Sequence, residues 1–128
     1  MELPLKVDIK DKVAVVTGGG GVLGSSFSKA LAEAGARVAI LDLDKESAEN
    51  VAQEICDNGG KAISVKANVL KPDSLKQAKE VINEKLGSCD ILINGAGGNH
   101  PKGTTSKEFL DKKDLESNED IVTFFDLD

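Results

Sequence analysis

The stretch Val13-Ala14-Val15-Val16-Thr17-Gly18-Gly19-Gly20-Gly21-Val22-Leu23-Gly24 constrains this chain more than any other. A short β-branched run empties into a turn made almost wholly of glycine, and the turn opens a helix. Such a junction suits a pyrophosphate, because unpaired backbone N–H groups and the positive end of the helix dipole both face the anion. Glycine lets the backbone approach the ligand closely and take positive φ without strain. Gly19, Gly21 and Gly24 fit G-x-G-x-x-G, the pattern of dinucleotide-binding βαβ units. Four consecutive glycines satisfy that pattern in more than one register, so a glycine turn without a ligand stays open at this point. A P-loop is excluded, since Gly24 is followed by Ser25 and no lysine is placed to reach a phosphate.

Downstream the apolar spacing keeps switching between the two periods. A helix is predicted over Leu23–Ala34, with Phe27, Ala30, Leu31 and Ala34 at helical spacing and Gly35 as its stop. Arg37 to Leu41 reads as a second strand ending at Asp42. A helix from Lys45 to Asp57 follows, with Ala48, Val51, Ala52 and Ile55 inward and Asp44 or Asp42 as its cap. Lys61–Ala67 reads as a third strand. Pro72 and Asp73 open a third helix carrying Leu75, Ala78, Val81, Ile82 and Leu86, and Cys89–Asn94 forms a fourth strand. This β-α-β-α-β-α-β order points to an α/β fold, a Rossmann-type doubly wound parallel sheet in the order 3-2-1-4.

Composition excludes several function classes. A chain of 128 residues suits one domain, and a formal net charge of -6 with no basic block argues against a nucleic-acid surface. No apolar run approaches the length of a membrane span. The opening residues lack the apolar core of a signal peptide. Cys56 and Cys89 form no CxxC, which favours reduced thiols in a cytoplasmic setting over a zinc site or a disulfide. With no tryptophan or tyrosine and only four phenylalanines, the core must be built from Val, Ile, Leu and Ala. That suits strands buried on both faces. Beyond Asn94 the regularity stops: residues 95–120 are polar and long for a loop, and the closing Ile121–Asp128 is an apolar cluster that reads as an element cut short.

Asp42 is the second informative position. An acid at the end of the second strand, eighteen residues beyond Gly24, accepts hydrogen bonds from an adenosine ribose diol. Its charge repels a 2′-phosphate, so NAD is favoured over NADP. A helix cap is the competing role, but Asp44 is better placed for it, which leaves Asp42 free for the ribose.

Thr17-Gly18-x-x-x-x-x-Gly24, Asp42 and Ile93-Asn94-Gly95-Ala96-Gly97 together resemble the short-chain dehydrogenase/reductase family over nearly the whole chain. The resemblance implies an NAD(P)-dependent oxidoreductase that moves hydride between nicotinamide and a hydroxyl or carbonyl substrate. It implies cofactor contacts from Thr17, Gly18, Gly19, Gly20, Gly21, Val22, Leu23 and Gly24. Asp42, Asn68, Val69, Asn94, Gly95, Ala96 and Gly97 complete the expected set. Three positions depart from the family pattern. Its T-G-x-x-x-G-x-G has Val22 for the middle glycine, its N-N-A-G reads Asn94-Gly95-Ala96-Gly97, and its Asp-Val after the third strand is Asn68-Val69. An amide oxygen at Asn68 can still accept from an adenine amino group, with an Asx-turn as the competing role.

The wording from Asn94 to Lys102 further resembles a bacterial subgroup acting on the sugar acids D-mannonate and D-fructuronate. His100 and Lys102 would then face a substrate carboxylate or a cofactor phosphate, against the plainer alternative of a solvated loop. The family's catalytic set is an Asn on the fourth helix, a Ser after the fifth strand and a Tyr-x-x-x-Lys on the fifth helix. No residue here carries over to it, and none of Ser25, Ser26, Ser64 or Ser88 stands where that serine belongs. The expectation is the cofactor-binding half of such an enzyme, inactive alone, with its sheet incomplete on the C-terminal side and a full-length form that is a homo-oligomer. A stand-alone nucleotide-binding or regulatory module is the alternative. A class I methyltransferase-type domain is disfavoured by Thr17-Gly18 and by Asn94-Gly95-Ala96-Gly97.

Overall fold

Four parallel strands alternate with three helices in the computed structural model, which describes residues 7–98 and residue 112. The elements are β1 (Val13–Thr17), α1 (Val22–Glu33), β2 (Arg37–Asp42), α2 (Lys45–Asp57), β3 (Lys61–Lys66), α3 (Pro72–Lys85) and β4 (Ile91–Asn94). The sheet order is β3-β2-β1-β4, as the element order predicts. His100, Lys102 and the Ile121–Asp128 cluster lie outside the described residues. The compact unit closes at Ala96, and Gly97 falls outside it.

The period of two sorts the central strands into two layers. Ala14, Val16, Val38 and Ile40 face one side and pack against Ala32 of α1 and Ala48, Val51, Ala52 and Ile55 of α2. Val13, Val15, Ala39 and Leu41 face the other side, where they meet Val65 and Ala78 and Ile82 of α3. All five residues of β1 are buried, which is why the run carries no polar alternation. Among the described residues two helices cover the first face and α3 alone covers the second. An apolar groove of about 740 Å³ is left there, lined by Val15, Ala78, Ile82, Leu92 and Asn94 among others. β4 pairs only with β1 among the described residues, and Leu92 on it is 56% exposed.

Element boundaries shift by one or two residues from the sequence reading, chiefly at β4, which begins at Ile91 rather than Cys89. The preceding Asp90 clamps the strand start: its N–H donates to the Val13 carbonyl at 2.9 Å and its carboxylate accepts from Val13 N–H at 2.9 Å.

The apolar spacing of α1 does not mark the face that it buries. The buried stripe of α1 is Gly24, Ser28 and Ala32, while Phe27, Ala30 and Ala34 are exposed, Phe27 by 42%. Leu31 is half-buried against the core. Small residues win the inner face because α1 begins directly over the glycine turn and must sit close to the sheet. Ser28 satisfies its own hydroxyl there, donating to the Gly24 carbonyl at 2.8 Å.

Helix α2 behaves as its spacing predicts, with Ala48, Val51, Ala52 and Ile55 buried. Asp44 is its N-cap, accepting from Glu46 N–H at 3.1 Å and from Ser47 Oγ at 2.7 Å. The Ser47 hydroxyl, first among its contacts, holds the Asp44 carboxyl below the usual carboxylate range. A depressed folded pKa stabilises above the unfolded value and loses its effect as pH falls through the folded one. Asp44→Ala is therefore expected to lower the melting temperature at neutral pH. The gap to the unsubstituted protein should narrow in acid as that carboxyl protonates, and thermal melts along a pH series measure it.

Candidate functional site

The candidate residues from Thr17 to Ala96 converge at the C-terminal ends of the parallel strands. The chain runs β1, β2, β3 in one direction and then crosses to β4 on the far side of β1. The switch point thus lies between β1 and β4, where open α/β sheets leave a crevice for ligands. Two turns meet there. A Cβ added at Gly18 would lie 2.8 Å from the Gly95 carbonyl oxygen and 2.9 Å from Ala96 Cα, and Gly18 takes φ +66. Only glycine satisfies both conditions.

Thr17 joins these turns. Its Oγ1 accepts from Gly95 N–H and from Ala96 N–H, each at 3.2 Å, and the side chain is buried. Sequence reasoning reached Thr17 through a motif and missed this role, which depends on the pairing of Thr17 with Asn94 across the sheet. Thr17→Val keeps the shape and removes the acceptor. Gly95 N–H keeps its bond to the Thr17 carbonyl, so the expected cost is about 0.5–1.5 kcal/mol of stability, read from denaturant unfolding.

The glycine turn divides its amides between structure and solvent. Gly19 N–H donates to the Leu41 carbonyl, Gly20 N–H to Asp42 Oδ2 and Gly21 N–H to the Gly18 carbonyl. Gly21 is the N-cap of α1 and brings no side-chain acceptor to the first turn. The amides of Val22, Leu23 and Gly24 open that turn, where an α-helix has no intrahelical partners to give them. They could hold an anion. A Cβ on Gly24 would lie 2.1 Å from the Gly18 carbonyl oxygen, so the turn and the helix are in direct backbone contact. Val22, the departure from the family pattern, is 87% exposed at the first position of α1. Its β-branched side chain points away from that contact, and the turn admits it.

Asp42 lies beside the turn but is not free. Its Oδ2 accepts from Gly20 N–H and its Oδ1 from Asp44 N–H, both at 3.0 Å. The expectation of an uncommitted carboxylate is corrected, because the close approach of the turn to the end of β2 delivers a backbone donor. Each oxygen keeps a lone pair for a further donor. Asn68 Oδ1 accepts from Leu70 N–H at 3.0 Å, the Asx-turn geometry, and the Asn68 backbone N–H donates to Ser74 Oγ at 2.9 Å. Val69 is partly exposed beside it, lining the mouth of the groove with Thr17, Leu41 and Asn94. Gly97 is exposed.

Sequence reasoning also passed over Ser47. Its Cβ lies 2.8 Å from where a Cβ on Gly20 would stand, so α2 backs the turn directly. The Asp44-x-x-Ser47 spacing at a helix start was its only signal. Among the described residues no group of His, Cys, Asp and Glu could hold a metal ion.

Residues 12–122 match the family described as short chain dehydrogenase. A curated, uncharacterised oxidoreductase of Haemophilus influenzae is 46% identical over 128 residues, covering 100% of this chain and 44% of its own length. Among solved structures, a candidate D-mannonate oxidoreductase from Haemophilus with bound NAD is similar at 48% identity and TM-score 0.75. The match covers 94% of this chain and 42% of that one. A metagenomic short-chain oxidoreductase in complex with NADP is 32% identical with TM-score 0.67, over 72% and 42% of the respective chains. The chain spans less than half the length of these relatives.

Proposed function

The chain belongs to the short-chain dehydrogenase family, and from that premise we propose that it is the NAD-binding portion of an oxidoreductase. The observation that carries this reading is the cradle at Gly24 and Gly18, where no side chain fits and the first turn of α1 has no side-chain cap. The pyrophosphate would be held by the amides of Val22, Leu23 and Gly24, with Gly19, Gly20 and Gly21 shaping the turn. The adenosine ribose would donate to the lone pairs left on Asp42. Adenine would lie against Val69 and near Asn68, with Asn94, Gly95 and Ala96 beneath the remainder of the dinucleotide. NAD is favoured over NADP by the Asp42 charge. The bound cofactor supplies hydride exchange at its nicotinamide, and the residues described here bind and orient it.

The substrate is a small molecule with a hydroxyl or carbonyl group. The sugar acids D-mannonate and D-fructuronate are the favoured pair, given the likeness to the candidate D-mannonate oxidoreductase. The family's proton-transferring tyrosine has no counterpart among these 128 residues, which contain none. We therefore assign binding to this chain and proton transfer to residues outside it. The chain alone would be inactive, and the full-length form a homo-oligomer. The free, exposed thiols of Cys56 and Cys89 favour a reducing, cytoplasmic setting. No described helix is long and apolar enough to cross a membrane. The net charge of -6 disfavours nucleic acid as a partner.

A second reading, a nucleotide-binding module without catalysis, rests on the same cradle. Calorimetric titration with NAD and NADP tests the binding that both readings require. Saturable binding with NAD the tighter ligand is expected, and no binding of either dinucleotide would overturn the assignment. Adding D-mannonate with NAD to the full-length form and following absorbance of the reduced nicotinamide then separates an oxidoreductase from a binding module.

A further inference from the structure

We propose that Ser25 and Ser26 are positioning residues for the pyrophosphate site, acting through the peptide that joins Val22 to Leu23. The inference rests on the dinucleotide reading above and deepens it at the same site. Both hydroxyls donate to one acceptor, the Val22 carbonyl oxygen, from Ser25 Oγ at 3.0 Å and Ser26 Oγ at 3.1 Å. Ser26 is exposed and Ser25 half-buried, so solvent could serve these hydroxyls, yet each turns back onto the helix.

That carbonyl matters through its partner across the peptide bond. The peptide unit is planar and trans, so the Val22 C=O and the Leu23 N–H point in opposite directions from one rigid plate. Ser25 N–H donates to the Gly21 carbonyl at 2.8 Å and closes the first turn of α1. Leu23 N–H precedes it, among the amides that a helix leaves without an intrahelical partner. Donation to the carbonyl draws electron density from the plate and makes its N–H a stronger donor, the cooperativity of chained hydrogen bonds. It also limits how far the plate can tilt. Hydroxyl, peptide and phosphate then form one chain of donors, with Leu23 N–H set before the anion arrives.

Stability alone gives no reason for this pair. Serine is a poorer helix former than alanine, and a hydroxyl bonded back to the preceding turn slightly destabilises and bends a helix. Neither residue belongs to the buried stripe of Gly24, Ser28 and Ala32. Two such serines in succession serve the fold poorly, whereas a stiffened and polarised first turn serves an anion well.

The test compares the parent chain with Ser25→Ala, Ser26→Ala, the double alanine variant and the double variant Ser25→Thr with Ser26→Thr. Threonine hydroxyls can make the same bond to the preceding turn. Calorimetry with ADP-ribose, which keeps the pyrophosphate, is set against NMR titration with adenosine, which lacks it. The double alanine variant is expected to bind ADP-ribose about fivefold more weakly, the strengthening that two chained hydrogen bonds lend to a bond with a charged group. Adenosine affinity should not change, and the threonine pair should restore ADP-ribose binding. The melting temperature of the double alanine variant should equal or exceed that of the parent, since alanine is the better helix former. In the free protein the NMR signal of the Val22 carbonyl carbon should move upfield as its donors are lost. Equal ADP-ribose affinity in parent and double alanine variant overturns the role of the serines and leaves the dinucleotide reading intact. A carbonyl signal that stays put, or a loss shared by adenosine and accompanied by a lower melting temperature, overturns it too. Failure of the parent to bind ADP-ribose overturns both.

Discussion

Gly24→Ala is expected to abolish dinucleotide binding and to destabilise the fold together. The added Cβ would stand 2.1 Å from the Gly18 carbonyl oxygen, 2.8 Å from Gly18 C and 2.8 Å from Gly19 Cα. None of these is the end of a flexible side chain, so the start of α1 must lift bodily away from the turn. Overpacking of this kind costs about 1–3 kcal/mol of stability. The lifted helix also withdraws the amides of Val22 and Leu23 from the anion. Losing two hydrogen bonds to a charged group, at roughly 1.5–3 kcal/mol each, amounts to a hundredfold or more in affinity. Calorimetry with NAD and a thermal melt measure the two effects. A variant that melts lower yet binds NAD as before would show that the first turn of α1 does not hold the pyrophosphate.

Asp42→Ser is expected to weaken NAD by about ten- to a hundredfold, the loss of one or two charge-assisted hydrogen bonds to the ribose. NADP should lose less, because the repulsion disappears with the carboxylate, and the gap between the cofactors narrows. The structure adds a second consequence. Gly20 N–H and Asp44 N–H both lose their acceptor, so the glycine turn and the entry to α2 loosen and stability falls as well. Equal NAD affinity in variant and parent would remove Asp42 from the ribose site.

The sheet order and the inner face of α2 were legible from residue spacing, because both follow from local patterns of period two and 3.6. The inner face of α1 was not. Periodicity weights large apolar residues, and it selected Phe27 where the structure buries Gly24, Ser28 and Ala32. What decides that face is the distance between helix and sheet beneath the turn, a tertiary quantity. The glycines of the site were legible as a class, but their individual duties were not. Gly18 needs its φ of +66 and room against Gly95, whereas Gly24 needs room against Gly18. Asp42 was found from its place at the end of a strand, and its engagement by Gly20 was not, since that donor lies 22 residues away in sequence. Asn68 stood between an adenine contact and an Asx-turn, and its side-chain oxygen already accepts from Leu70 N–H.

The clamp between Asp90 and Val13 bears on the order in which the sheet assembles. β1 pairs with β2, and β2 with β3, through crossovers of similar and modest length. β4 must reach back across 77 residues to close on β1. Loop-closure entropy grows as the logarithm of that separation, so docking β4 costs about 1 kcal/mol more than either crossover. It also returns less, since β4 has four residues and, among the described residues, one neighbouring strand. The three-stranded unit β3-β2-β1 can therefore gather first around α2, with β4 arriving last and departing first. The crevice at the switch point exists only once that late strand has docked, so a ligand seated there would hold the chain closed at its slowest joint.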